Sequence, residues 1–191
     1  MAGNTTSLYY LRHCQSDTGN HDELNRGLTA KGMADRVLIR AYFQDIDLDA
    51  AWSSPYLRAR LTVEPLAASR DMAVHLHPDL RERENNGWTP DVEGMVRRLW
   101  ANFEGREGRE ESLLGVQTRG LGVMRRLLQV YPGKSVVIGS HGTAMSVLIR
   151  YFEPEFNADD FLAIKEKMPW LVRFRFAGQD LIDIKKHDFF A

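Results

Sequence analysis

The segment that most restricts the fold is residues 8–16, Leu-Tyr-Tyr-Leu-Arg-His-Cys-Gln-Ser. Four apolar and aromatic residues of strand-forming type run directly into an arginine and a histidine. The run reads as a buried strand. Open α/β sheets present ligand-binding groups at the C-terminal ends of their strands, and Arg12 and His13 occupy that end. A fixed guanidinium charge beside a neutral imidazole suits an anionic substrate attacked by nitrogen. Taken alone, the pair reads better as a surface Arg-His dipeptide, so the rest of the chain decides.

That remainder alternates between helical and strand patterns. After a polar, turn-rich loop over 17–27, Thr29 is a good N-cap, and Ala30, Ala34, Val37, Leu38, Ala41 and Tyr42 share one face of a helix ending near Asp45. Residues 50–53 form a short second strand, and Ser53-Ser54-Pro55 turns into a helix over 56–70 that Pro65 should kink or restart. A third strand covers 73–77. Residues 80–112 are charged and glycine-bearing, with a helix over 91–103 and an exposed loop over 104–111. A helix over 113–131 stops at Pro132-Gly133. Residues 135–140 are a buried strand, 142–152 a helix and 159–167 a shorter one. Trp170, Val172, Phe174 and Phe176 alternate with Leu171, Arg173 and Arg175 as a half-buried strand, and Gly178-Gln179-Asp180 turns it into 181–185 as a hairpin.

This order predicts an α/β fold: a three-layer sandwich with a mostly parallel central sheet, a closing C-terminal hairpin and a small insertion over the active site. At 191 residues the chain suffices for one sizeable core. One domain over 1–191 is expected, with residues 83–112 an insertion over the sheet's edge. A net charge of −1 gives no bulk argument for nucleic acid or an anionic membrane, so an anion site must be local. The sole cysteine, Cys14, excludes an internal disulfide and suits a reducing compartment. No leader pattern and no membrane-spanning apolar run is visible, and a cytoplasmic location is expected.

Three further stretches carry chemistry. Ser140-His141-Gly142-Thr143 lies where a buried strand meets a helix. Backbone N–H groups at a helix start, with glycine allowing close approach, make an anion site. In a parallel sheet, His13 and His141 then stand on the same side. Ser53-Ser54-Pro55-Tyr56-Leu57-Arg58-Ala59 places Arg58 on a first helical turn, where a cation is mildly unfavourable unless an anion is bound nearby; alone it reads as a solvated arginine. In Leu80-Arg81-Glu82-Arg83-Glu84 a carboxyl could donate and accept protons, and composition does not decide which.

In this order the motifs resemble those of the histidine phosphatase superfamily, the phosphoglycerate mutase-like proteins. Arg12-His13 is similar to the family's Arg-His-Gly signature, whose histidine is the nucleophile, and Gln15-Ser16 to its continuation. Leu28-Thr29 with Gly32 resembles Leu-Thr-x-x-Gly. Ser53-Ser54-Pro55 through Arg58-Ala59 resembles Ser-Ser-Pro-x-x-Arg-Ala, whose arginine binds the phosphoryl group. Leu80-Arg81-Glu82 resembles Leu-x-Glu, whose glutamate is the general acid, and Ser140-His141-Gly142 the second histidine motif. The resemblance runs from Leu8 to about Leu148.

It implies a metal-independent, cofactor-free phosphomonoesterase acting on a small phosphorylated substrate, with no nucleic acid and no membrane as partner. His13 is phosphorylated, Glu82 is general acid and base, His141 assists, and Arg12, Arg58, Ser16, Gly142 and Thr143 bind substrate; Asn20 is a lesser candidate. A cofactor-dependent mutase or a non-catalytic phosphate-binding module on the same fold are the alternatives. The short insertion and early chain end favour the phosphatase. Cys14 replaces the family's glycine: either the backbone avoids positive φ there or the pocket is reshaped. It does not indicate a cysteine phosphatase, because the residue six later is Asn20 and not arginine. Neighbouring arginines could make its thiol oxidisable. His75 and His77 read as packing or surface groups rather than metal ligands. Trp88 and Trp100 read as core of the insertion, and Arg97, Arg98, Arg106 and Arg109 as a solvated face. Selectivity is expected to lie in 83–112 and 17–27.

Overall fold

The computed structural model describes residues 5–85, 87, 89–106 and 110–191. Its strands are β1 (Thr5–Arg12), β2 (Ala50–Ser53), β3 (Val74–Leu76), β4 (Ser135–Ser140), β5 (Trp170–Ala177) and β6 (Asp180–Asp188). Its helices are α1 (Ala30–Tyr42), α2 (Leu57–Ala68), α3 (Val92–Ala101), α4 (Leu113–Val130), α5 (Gly142–Phe152) and α6 (Ala158–Ile164), with a 3-10 turn at Pro78–Leu80. The sheet order is β3-β2-β4-β1-β5-β6. The first four strands run parallel, and β5 and β6 close the sheet as an antiparallel hairpin. Trp88 and Arg109 lie outside the described residues.

Side-chain alternation in the central strands divides the core in two. Leu8, Tyr10, Val136, Ile138, Val172 and Phe174 face α4, α5 and α6, whereas Tyr9, Leu11, Val137 and Leu171 face the side that carries α1 and α2. Both faces being covered explains why the β1 and β4 sequences are almost continuously apolar. Among the described residues, no helix is long and apolar enough to cross a membrane.

Two sequence expectations need correction. The buried face of α1 is Gly32 and Ile39, continuing to Phe43, and not the alanine-rich stripe; Val37 is 65% exposed. Helix α2 runs through Pro65 without interruption. A proline cannot donate to the carbonyl four residues earlier, and here Arg36 Nη1 donates to that Leu61 carbonyl at 3.3 Å instead. The 83–112 segment carries one helix among the described residues. Its helix α3 packs chiefly on α6, with Trp100 stacked against Phe103, Phe156 and Phe161. Trp100 is buried, as expected of a core residue.

Candidate active site

The parallel register builds the site. Arg12 pairs with Ser140 across β1 and β4, and Ser53 with Gly139 across β2 and β4. The residues that follow, His13, His141 and Ser54, therefore emerge side by side. The His13 N–H still donates to the Ser140 carbonyl (3.1 Å), and the Ser54 N–H to that of Gly139 (2.9 Å). The rings of His13 and His141 lie 5.3 Å apart between centroids.

Each histidine is held by one nitrogen. His13 Nδ1 lies 2.7 Å from the carbonyl of Cys14, an acceptor only, so Nδ1 carries the proton and Nε2 keeps its lone pair. His141 Nε2 lies 2.8 Å from the Ser54 hydroxyl, which also accepts the Tyr56 N–H at 3.2 Å. Burial, then the charges of Arg58 and Arg12, push the His13 pKa well below the ordinary imidazole range. Burial, then Arg58 and His13 itself, do the same for His141. Both rings are neutral at pH 7.

The cations are fixed by carbonyls and one carboxylate. Arg12 Nη1 donates to the carbonyls of Ile164 (2.7 Å) and Lys167 (3.2 Å) at the end of α6. Its guanidinium lies so close to Gly142 that a Cβ there would sit 3.1 Å from Cζ, which explains glycine at the start of α5. Burial lowers the Arg12 pKa to about 10, against the pull of Glu82 and Glu166, so it stays charged. Arg58 is 1% exposed. Its Nη1 donates to the Glu23 carbonyl (2.7 Å) and its Nη2 to Glu23 Oε2 (2.9 Å), and it stacks over Tyr56 at 4.9 Å. Burial, then Arg26, lowers its pKa.

Glu82 lies at the N-terminus of α5. Its Oε2 accepts the Thr143 N–H (3.0 Å), and its Oε1 accepts the N–H groups of Ala144 (3.1 Å) and Arg83 (2.8 Å). Two of the helix-start donors that the sequence offers to an anion are thus held by this carboxylate. Ser16 is buried and forms an isolated bridge with Leu28. Asn20 is exposed, and its Oδ1 accepts the Asp22 N–H in a turn. Cys14 is fully buried in the α1–α2 side of the core. Its φ is not positive, since Asp71 alone has that conformation among the described non-glycine residues. Its side chain packs in that core, so the backbone accommodates cysteine without a glycine's freedom.

Sequence reasoning missed three groups. Arg26, buried, forms an ion pair with Glu23 (2.9 Å) and adds its charge to the field at His13. Glu23 joins Arg26 to Arg58. Arg119 on α4 grips the segment that carries Glu82. Their partners are backbone carbonyls and loop carboxylates supplied by tertiary folding, and a turn-rich Glu-x-x-Arg gives no local signal for burial. His75 and His77 lie along Trp52, and no group of His, Cys, Asp and Glu that could hold a metal occurs among the described residues.

A mixed sheet flanked by helices, with paired histidines and buried arginines at the ends of its parallel strands, defines the class of protein. The model of the histidine phosphatase superfamily (branch 1) matches residues 8–180, and the chain belongs to that superfamily. Solved structures share the fold. Mycobacterial glucosyl-3-phosphoglycerate phosphatase is 18% identical, with a TM-score of 0.76 over 96% of this chain and 98% of that one. Phosphoserine phosphatase from Entamoeba histolytica, in complex with 3-phosphoglyceric acid, is 17% identical, with a TM-score of 0.77 over 97% and 100%. YhfR of Bacillus stearothermophilus is 20% identical, with a TM-score of 0.75 over 93% and 94%. No curated protein sequence matches the chain.

Proposed function

We propose that the protein is a phosphomonoesterase that works through phosphohistidine on His13. One observation carries the reading. Arg12 Nε, Arg58 Nε and His141 Nδ1 are buried and find no partner among the described residues, and they belong to the side chains that surround His13. Buried donors are almost always satisfied, and three of them in a positively charged cluster call for an anion with several acceptor oxygens. A phosphoryl group supplies these. For His141 to serve, the Ser54 hydroxyl donates to Nε2, leaving the proton on Nδ1.

The chemistry then follows from the geometry. The Nε2 lone pair of His13 attacks phosphorus in line, and the P–O ester bond breaks with its electron pair going to the leaving oxygen. Glu82, protonated, gives that oxygen its proton, the alcohol departs, and Glu82 is left as a carboxylate. In the second half, Glu82 takes a proton from water, the water oxygen bonds to phosphorus, and the P–N electron pair returns to Nε2. Arg12, Arg58 and Arg26 offset the charge of the transferring group, and the Gly142 N–H at the start of α5, beside the Arg12 guanidinium, is left for it, whereas the Thr143 N–H is held by Glu82. The relatives whose names specify phosphatases support the same class.

Incubation with p-nitrophenyl phosphate, and separately with 3-phosphoglycerate plus bisphosphoglycerate, tests the reading. Release of inorganic phosphate from the first without isomerisation of the second is expected. Isomerisation would favour a mutase, and inertness toward both a phosphate-binding module.

A further inference from the structure

We propose that Arg119 is a positioning residue for Glu82: braced by Glu111, its guanidinium clamps the irregular backbone that presents the Glu82 carboxyl to the leaving oxygen. The inference rests on the reading that Glu82 is the proton donor.

The residues after the 3-10 turn have no strand or helix to satisfy their backbone. Arg119, at the middle of α4, takes up that role. Its Nη1 donates to the carbonyls of Asp79 (2.7 Å) and Arg81 (2.8 Å), and its Nη2 to that of Glu82 (3.1 Å). The remaining donors go to one carboxylate: Nε to Glu111 Oε1 (2.7 Å) and Nη2 to Glu111 Oε2 (2.9 Å). All five N–H groups of the guanidinium are therefore used, and none is left for a substrate.

Glu111 is tied to the same segment. Its N–H donates to the Glu84 carbonyl (3.0 Å) and its Oε2 accepts the Glu84 N–H (3.4 Å). Burial opposes its ionisation, yet the Arg119 bonds hold its pKa below the ordinary carboxylate range. The Glu82 side chain is consequently anchored at both ends, by Arg119 at its own carbonyl and by α5 at its carboxylate. A general acid works only within hydrogen-bond reach of its target, so loosening the backbone end misplaces the proton. Lysine cannot substitute, because one ammonium does not reach three carbonyls and a carboxylate in a fork.

The test compares kcat/KM for p-nitrophenyl phosphate, whose leaving group needs little protonation, with that for phenyl phosphate, whose leaving group needs more. Arg119→Met, Arg119→Lys, Glu111→Gln and Glu82→Gln are measured beside the wild type. For Arg119→Met and Arg119→Lys, we expect about a tenfold or larger loss on phenyl phosphate and a far smaller one on p-nitrophenyl phosphate. Glu111→Gln, which keeps the guanidinium and removes only its brace, should show the same bias and stands in if Arg119→Met does not fold. Equal losses on both substrates, or none, overturn the clamp. The Glu82→Gln control separates the two levels: if it shows the bias and the Arg119 and Glu111 variants do not, the clamp alone fails. If Glu82→Gln shows no bias, the assignment of Glu82 as acid fails first.

Discussion

The imidazoles of His13 and His141 stand 5.3 Å apart, inclined at 62°, and each is pinned by a different nitrogen, Nδ1 to the Cys14 carbonyl and Nε2 to the Ser54 hydroxyl. The same ring pair thus offers a lone pair from one member and a donor from the other. That division of labour needs both rings neutral, and it has a consequence for stability. The folded pKa of each histidine lies well below its unfolded value of about 6.5. Below that pH the unfolded chain binds more protons, so stability rises with pH in this range and is lost on acidification. Each histidine contributes about 1.4 kcal/mol per pH unit between 6.5 and its folded pKa. Urea unfolding at several values from pH 7 to 5.5 should show a steep loss for the wild type and a shallower one for His141→Asn. Equal slopes would contradict the neutral pair.

Arg58 should tolerate no cationic replacement. It holds the Glu23 carbonyl and carboxylate while keeping Nε unpartnered, a fork that lysine lacks. Arg58→Lys is expected to lower kcat/KM for p-nitrophenyl phosphate by about 10²- to 10³-fold, the range seen when one transition-state donor is removed. Retention of more than a tenth of the activity would argue that charge alone suffices.

Cys14 should be chemically silent. It has no exposed surface, and burial, only partly offset by Thr62, pushes its thiol up to about 12. The native protein should not react with a disulfide reagent or lose activity to peroxide, and the thiol should titrate only on unfolding. Cys14→Ala should keep activity and cost about 1 kcal/mol from the small cavity. Rapid native-state labelling, or inactivation by Cys14→Ala, would refute this placement.

Gly32 answers a different constraint. A Cβ there would meet the Gln15 carbonyl oxygen at 2.2 Å, and that carbonyl also accepts the Thr29 N–H at 3.0 Å. Gly32→Ala must push α1 off the loop that follows His13, at a cost of about 3 kcal/mol. A Tm lowered by roughly 10 °C together with reduced kcat checks this; an unchanged Tm would show that the helix shifts freely.

These particulars show what the sequence could and could not reveal. Strand ends are readable because an apolar run that stops at polar residues marks both a strand and its exit, which placed Arg12 and His13 at the end of β1, and His141 and Gly142 where β4 gives way to α5. The helix start at Thr29 is readable because its cap acts within three residues, on the Gly32 N–H. The buried stripe of α1 is not, since small alanines and Val37 give an apolar period whichever way a half-covered helix turns. Arg119, Arg26 and Glu23 are illegible for a related reason. Arg119 is read only through carbonyls of a distant segment, and Glu23 through Arg58 on another element; the local Glu23–Arg26 pair carries no sign in the sequence that Arg26 will be buried.

Rapid mixing with p-nitrophenyl phosphate, alkaline quench and peptide mass analysis reads where the phosphoryl group rests. One phosphoryl group is expected on the peptide holding His13, stable to base and labile to acid, formed at a rate no slower than turnover and missing from His13→Ala. A phosphoryl group on another residue, or full turnover by His13→Ala, would contradict it.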